Sequence, residues 1–144
     1  MNIERINTNG FDGSDDLIGE IEVVIGKKLP DDYKLLLIKN NGGHPELDSF
    51  FLSHNISYGI NNFYSINNSK YETILSAINR WGKVLGKGVL PIARDGGDNQ
   101  FYLNLNETEP SVWIYLHDGN DKREKLADSL AEFIDKLQIN PDYL

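Results

Sequence analysis

The residues of this sequence with the most chemical reach are three histidines, His44, His54 and His117, and two acidic turns, Asp95-Gly96-Gly97-Asp98-Asn99 and Asp118-Gly119-Asn120-Asp121. A helical zinc protease site needs two histidines four residues apart with an acidic partner, and no histidine pair here has that spacing. Surface or turn roles are expected for all three. His117 with Asp118 and Asp121 has the residue types of an acid/base cluster, but neighbours on a strand point to opposite faces and do not share a proton. Each acidic turn brings two carboxylates and an amide, part of a Ca²⁺ shell. Neither has the alternating oxygen ligands or closing Glu of an EF-hand, so turn chemistry accounts for them. The stretch from Gly82 to Gly88 is one residue short of a phosphate loop. It also carries Gly88 where a Mg²⁺-binding hydroxyl is required, and reads as a helix stop and turn. There is no Gly-x-Ser-x-Gly elbow.

The absence of cysteine removes disulfides, thiolate metal sites and a thiol nucleophile. Enzyme chemistry is left without a constellation to carry it, so no catalytic residue, cofactor or metal is expected. A divalent-metal hydrolase built on Asp95, Asp98 and His117 is the enzymatic alternative. The net charge of −8 comes from 22 acidic against 14 basic side chains. It opposes binding to a nucleic-acid backbone and favours a basic protein partner. No apolar run approaches a membrane span and no leader pattern opens the chain, which is expected to be cytoplasmic. The sequons at Asn55, Asn67 and Asn106 are then chance matches.

Whatever these residues do, helices and strands must position them. A chain of 144 residues without a linker or repeat fits one domain over residues 1–144. Ser14 is a helix cap, followed by an apolar stripe of Leu17, Ile21, Val24 and Ile25 that stops at Gly26. Pro30 opens a second helix carrying Tyr33, Leu36 and Leu37, which ends at Asn41-Gly42-Gly43. From Leu47 to Ile66, apolar clusters alternate with Asn, Ser and Gly, predicting short strands and turns. Ser69 with Glu72 reads as a capping box for a helix bearing Tyr71, Ile74, Leu75, Ile78 and Trp81.

The second half is richer in strands. Val89 to Ala93 reads as a strand in which Pro91 demands an edge or a broken ladder. Phe101, Leu103 and Leu105, then Val112, Ile114 and Leu116, alternate as an antiparallel hairpin whose second face carries Trp113, Tyr115 and His117. A charged loop from Asp118 to Lys125 precedes a closing helix capped by Ser129 and Glu132. This order means α+β.

Leu29-Pro30-Asp31-Asp32-Tyr33-Lys34, Asn41-Gly42-Gly43, Leu90-Pro91-Ile92-Ala93, Asp95-Gly96-Gly97-Asp98 and the strand at Phe101 to Leu103 form an ordered series. The series resembles the SUKH superfamily, which takes in Smi/Knr-type regulators of fungal cell-wall assembly and many bacterial immunity proteins. It spans roughly Leu17 to Leu137. The resemblance implies an α+β domain with a central, mostly antiparallel sheet of about six strands, flanked by helices at the N- and C-terminal ends. It also implies an immunity protein of the bacterial branch, which binds and neutralises a cognate polymorphic or contact-dependent toxin domain, often a nuclease. The alternative is a regulatory or scaffold domain of the cell-wall-regulator type.

For such a binder, the candidate partner surface is the acidic pair Asp95 and Asp98 with Asp118 and Asp121, flanking a sheet that carries Tyr102, Trp113 and Tyr115. The competing reading makes the aromatics core and the acids solvated. In the family the Asp95 to Asp98 stretch resembles shared scaffold, which would move partner choice to the irregular Gly43 to Asn68 region.

Overall fold

A computed structural model describes residues 2–6, 8 and 13–140. Ser14 accepts a hydrogen bond from the Asp16 amide at the head of a 3-10 turn, Asp15–Leu17, which runs into α1, Ile18–Ile25. Gly26 ends α1 at φ +75°, a conformation that glycine adopts without Cβ strain. The second helix, α2, spans Asp31–Asn40, so it starts one residue later than expected and Pro30 takes the capping position.

The chain then forms β1, Ser49–Ser53, and β2, Ile56–Gly59, an antiparallel pair. A short β3, Asn62–Phe63, leads to α3, Ile74–Leu85. Four strands follow: β4, Val89–Arg94; β5, Gln100–Asn104; β6, Val112–Leu116; and β7, Lys122–Ala127. The last helix, α4, spans Leu130–Lys136.

The main sheet has the order β3-β4-β5-β6-β7 with every pair antiparallel, so each strand neighbours the next in sequence. With β1 and β2 the strands number seven in two sheets, where about six in one were expected. The α+β class holds. Pro91 sits in an interior strand, and the ladder shifts register between Pro91 and Ala93, which removes the need for its missing N–H.

Three expectations need correction. The residues from Lys122 onward are a strand, not a loop; β7 is an edge, and its Lys122, Arg123, Glu124 and Lys125 are the charges that discourage further pairing. The cap of α3 is Thr73, whose hydroxyl accepts from the Ser76 amide, not Ser69. Third, His117 lies beyond the end of β6, so strand alternation does not separate it from Asp118.

The core gathers between one face of the sheet and the helices. Phe133 of α4 is fully buried, stacked on Phe50 of β1 at 5.2 Å and tilted against Phe101 of β5 at 5.8 Å between ring centres. Ile21, Leu36, Ile74 and Ile92 join the same cluster. On the opposite face of β5 and β6, Tyr102 and Tyr115 pack with Leu85 and Val89, flanked by Trp81 and Trp113.

Candidate functional site

The turn between β4 and β5 is built around two aspartates with separate duties. Asp95 closes the loop on itself: its carboxylate accepts from the Gly97 amide at 2.9 Å, the Asn99 amide at 2.8 Å and the Asn99 side chain at 2.9 Å. Asp98 adopts φ +67°, a left-handed conformation that Asp tolerates better than most side chains.

From there the Asp98 carboxylate meets Arg80 of α3 at 2.9 Å. The same guanidinium forks onto Glu72 through Nε at 2.8 Å and Nη2 at 2.7 Å. A planar fork between two carboxylates is the arrangement arginine, unlike lysine, can complete. Arg94 adds a longer contact to Asp98, 3.9 Å, while its Nε donates to Asn62 at 3.2 Å. Partial burial alone would raise the Asp98 carboxyl, but the hydrogen bond and charge of Arg80, with Arg94 and His117 adding to them, hold it below the usual carboxylate range. Beneath the turn, fully buried Gln100 donates to the Asp98 carbonyl at 2.9 Å and accepts from the Tyr64 hydroxyl. Burial, with Glu72 adding to it, raises the Tyr64 phenol, which stays protonated to make that bond.

His117 fastens the second acidic turn to the first. Its Nε2 donates to the Gly97 carbonyl at 2.6 Å and its amide donates to the Asn99 side chain at 3.0 Å. Its Nδ1 lies 3.2 Å from Asp118, and Trp81 of α3 packs 6.0 Å away between ring centres. Asp118 and Asp121 keep most of their side chains in solvent, at 87% and 65% exposure.

Arg123 of β7 caps the far end of α3, donating to the Leu85 and Val84 carbonyls at 2.9 and 3.0 Å. Those carbonyls are among the orphans that every helix C-terminus leaves. Its guanidinium lies over Tyr102 and Tyr115 at 5.7 and 5.3 Å, and Asp121 pairs with it at 3.6 Å.

Beside the Arg80 cluster is a polar depression of about 520 Å³, walled by Asn61, Asn62, Lys70, Tyr71 and Arg94 as well as the ion-paired residues. Its charges largely neutralise one another, so it offers hydrogen bonds in both directions more than a net field. That suits a polar side chain or backbone of a protein partner. Among the described residues no group of three or more His, Asp or Glu is arranged to hold a metal ion, and no helix is long and apolar enough to cross a membrane.

Two comparisons with known proteins bear on this arrangement. The model of the SMI1 / KNR4 family (SUKH-1) matches residues 13–136, from the turn before α1 to the end of α4. This chain belongs to the SMI1 / KNR4 family. It is also 26% identical, over 157 aligned positions covering 94% of this chain and 77% of the relative, to the SPbeta prophage-derived uncharacterized protein YokK of Bacillus subtilis (strain 168).

Within this SUKH-1 domain the seven candidate surface residues fall into three groups. Asp95 and Asp98 are consumed by the turn and by Arg80. Tyr102 and Tyr115, at 4% and 6% exposure, form the small second core; Trp113 is partly exposed, stacked on Tyr102 at 6.3 Å with its indole N–H donated to Ser111 at 2.8 Å. The tyrosines are therefore not presented as an open aromatic face, because α3 and Arg123 cover them. Asp118 and Asp121 remain exposed, at the same end of the sheet as the first turn.

Sequence reasoning missed Arg80, Arg123 and the second duty of Asn41. Asn41 is the C-cap of α2 at φ 42°, and its buried side chain accepts from the Ile66 and Asn67 amides at 2.8 and 3.1 Å and donates to Asn67 at 2.8 Å. Its Asn-Gly-Gly setting signals a helix end. Nothing local in the sequence signals the segment it holds.

Proposed function

We propose that this chain is an intracellular immunity protein, which binds a cognate toxin domain and neutralises it stoichiometrically, without cofactor or turnover. The observation that carries this reading is the SMI1 / KNR4 (SUKH-1) match from residue 13 to residue 136, a family whose bacterial members resemble immunity proteins. The site supports it in kind. Asp95, Asp98, Arg80 and His117 at the turn end of the sheet are held by ion pairs and hydrogen bonds that order a surface.

The toxin is basic in this reading. A charge of −8 accelerates encounter with a basic protein, and the exposed Asp118 and Asp121 are its contacts at the tip. The ordered Asp95 to Asn99 turn frames the docking surface from behind. Partner choice resides in the irregular Gly43 to Asn68 region, where Ile56 of the β1–β2 hairpin is exposed.

Growth protection tests the proposal. The proposal predicts a toxin domain encoded beside this gene, which expressed alone should arrest growth, and co-expression with this chain should restore it. Restored growth lost in Asp118→Lys/Asp121→Lys, with the protein still folded, supports the docking end. An arrest that this chain leaves untouched overturns the immunity reading.

A further inference from the structure

A different face, at the C-terminal ends of α1 and α3, carries chemistry opposite to the rest of this acidic protein. Val23 is 81% and Val24 54% exposed on the last turn of α1, although Ile18 and Ile21 on the same helix are buried. One surface depression of about 450 Å³ lies on the Val23 side, lined by Gly19, Gly26, Lys27 and Lys28. Another of about 340 Å³ lies on the Val24 side, lined by Ile78, Gly82, Lys83, Gly86 and Lys87.

Ten of the residues in this chain are lysines. Despite 22 carboxylates, Lys27, Lys83 and Lys87 make no ion pair among the described residues, and all three border this patch. The carboxylate lining it, Glu22, is occupied by the Leu29 amide at 2.7 Å and by Lys28 at 3.8 Å.

The fold itself does not ask for the two helical glycines here. A Cβ at Gly19 would meet nothing within 4 Å, and one at Gly82 would meet Ile78 at an ordinary 3.7 Å. Glycine inside a helix is destabilising relative to alanine, so something other than intramolecular packing accounts for both. A bare backbone beside exposed valines gives another chain room for close approach.

We propose that the α1–α3 patch docks an acidic, amphipathic segment of a partner protein, apolar side chains against Val23 and Val24 and carboxylates toward Lys27, Lys83 and Lys87. Charge selects this occupant. A second copy packed symmetrically would set the same lysines against one another. The patch has no aromatic side chain to insert into a membrane interface or to stack on a nucleic-acid base. This inference stands independently of the immunity reading.

The test is an amide NMR titration of the full chain with a ~18-residue helical peptide of Leu and Glu in amphipathic order, beside a peptide in which Lys replaces every Glu. The acidic peptide should move the Gly19, Gly26, Gly82 and Gly86 signals. Lys27→Glu/Lys83→Glu/Lys87→Glu should weaken it at least ~10-fold with Tm unchanged, and Gly82→Ala should weaken it while holding or raising Tm. The inference is overturned if these four signals stay still at millimolar peptide or move equally with the Lys peptide. Movement instead with phosphatidylserine vesicles or duplex DNA overturns it as well.

Discussion

Arg80 joins two carboxylates that the sequence keeps apart, Glu72 eight residues before it and Asp98 eighteen after it. Because the folded Asp98 carboxyl lies below its unfolded value of about 3.9, its contribution to stability is complete above that value. It is lost as pH falls through the folded value. Asp98→Asn should therefore flatten part of the acid limb of a urea-stability-versus-pH curve, and an unchanged limb would contradict the Arg80 linkage. Asn41 makes a separate prediction. Removing its side chain leaves the Ile66 and Asn67 amides without their acceptor and puts alanine at φ 42°, costing about 2–4 kcal/mol in urea unfolding. Asn41→Gly, which keeps the backbone comfortable, should cost less. The acidic turn at Asp95 was legible because Asp-Gly-Gly-Asp is local turn chemistry. The pairings of Arg80, Arg123 and the Asn41 side chain were not, because their partners are fixed by strand order and helix placement that no local spacing encodes.

At the scale of elements, periodicity located α1, α2, α4 and the β5–β6 hairpin because each packs an apolar face on the core, although Val24, read into the α1 stripe, is 54% exposed. It failed at β7, where Lys-Arg-Glu-Lys reads as a solvated loop although it pairs with β6 along its length. Edge charge and loop charge look alike in sequence, and only the pairing separates them. The start of α3 was misplaced for a related reason: Ser69 and Glu72 have capping-box spacing, but Glu72 is drawn to Arg80 and the Ser76 hydroxyl, and Thr73 takes the cap. Thr73→Ala should lower stability by about 1 kcal/mol, whereas Ser69→Ala should leave it within a few tenths. Thermal unfolding of the two variants decides between the caps.

For the whole molecule, net charge and family describe the kind of partner better than they locate it. Of four acidic candidates, two are absorbed into the framework and two project at the tip, so the acidic character felt at a distance is not the sum of its visible motifs. The opposite character of the α1–α3 patch was invisible in the sequence, since its lysines lie at and just beyond the ends of two helices nearly sixty residues apart. The central claim is that this chain acts by binding a basic toxin tightly and without turnover. Stopped-flow association with a cognate toxin domain, sought among the products of the genes beside its own and measured across ionic strength, tests it most directly. A one-to-one complex is predicted, with an association rate that falls at least ~10-fold between low and high salt while dissociation barely changes. Failure to form a complex with that domain, or catalytic consumption of it by substoichiometric amounts of this chain, would contradict the account.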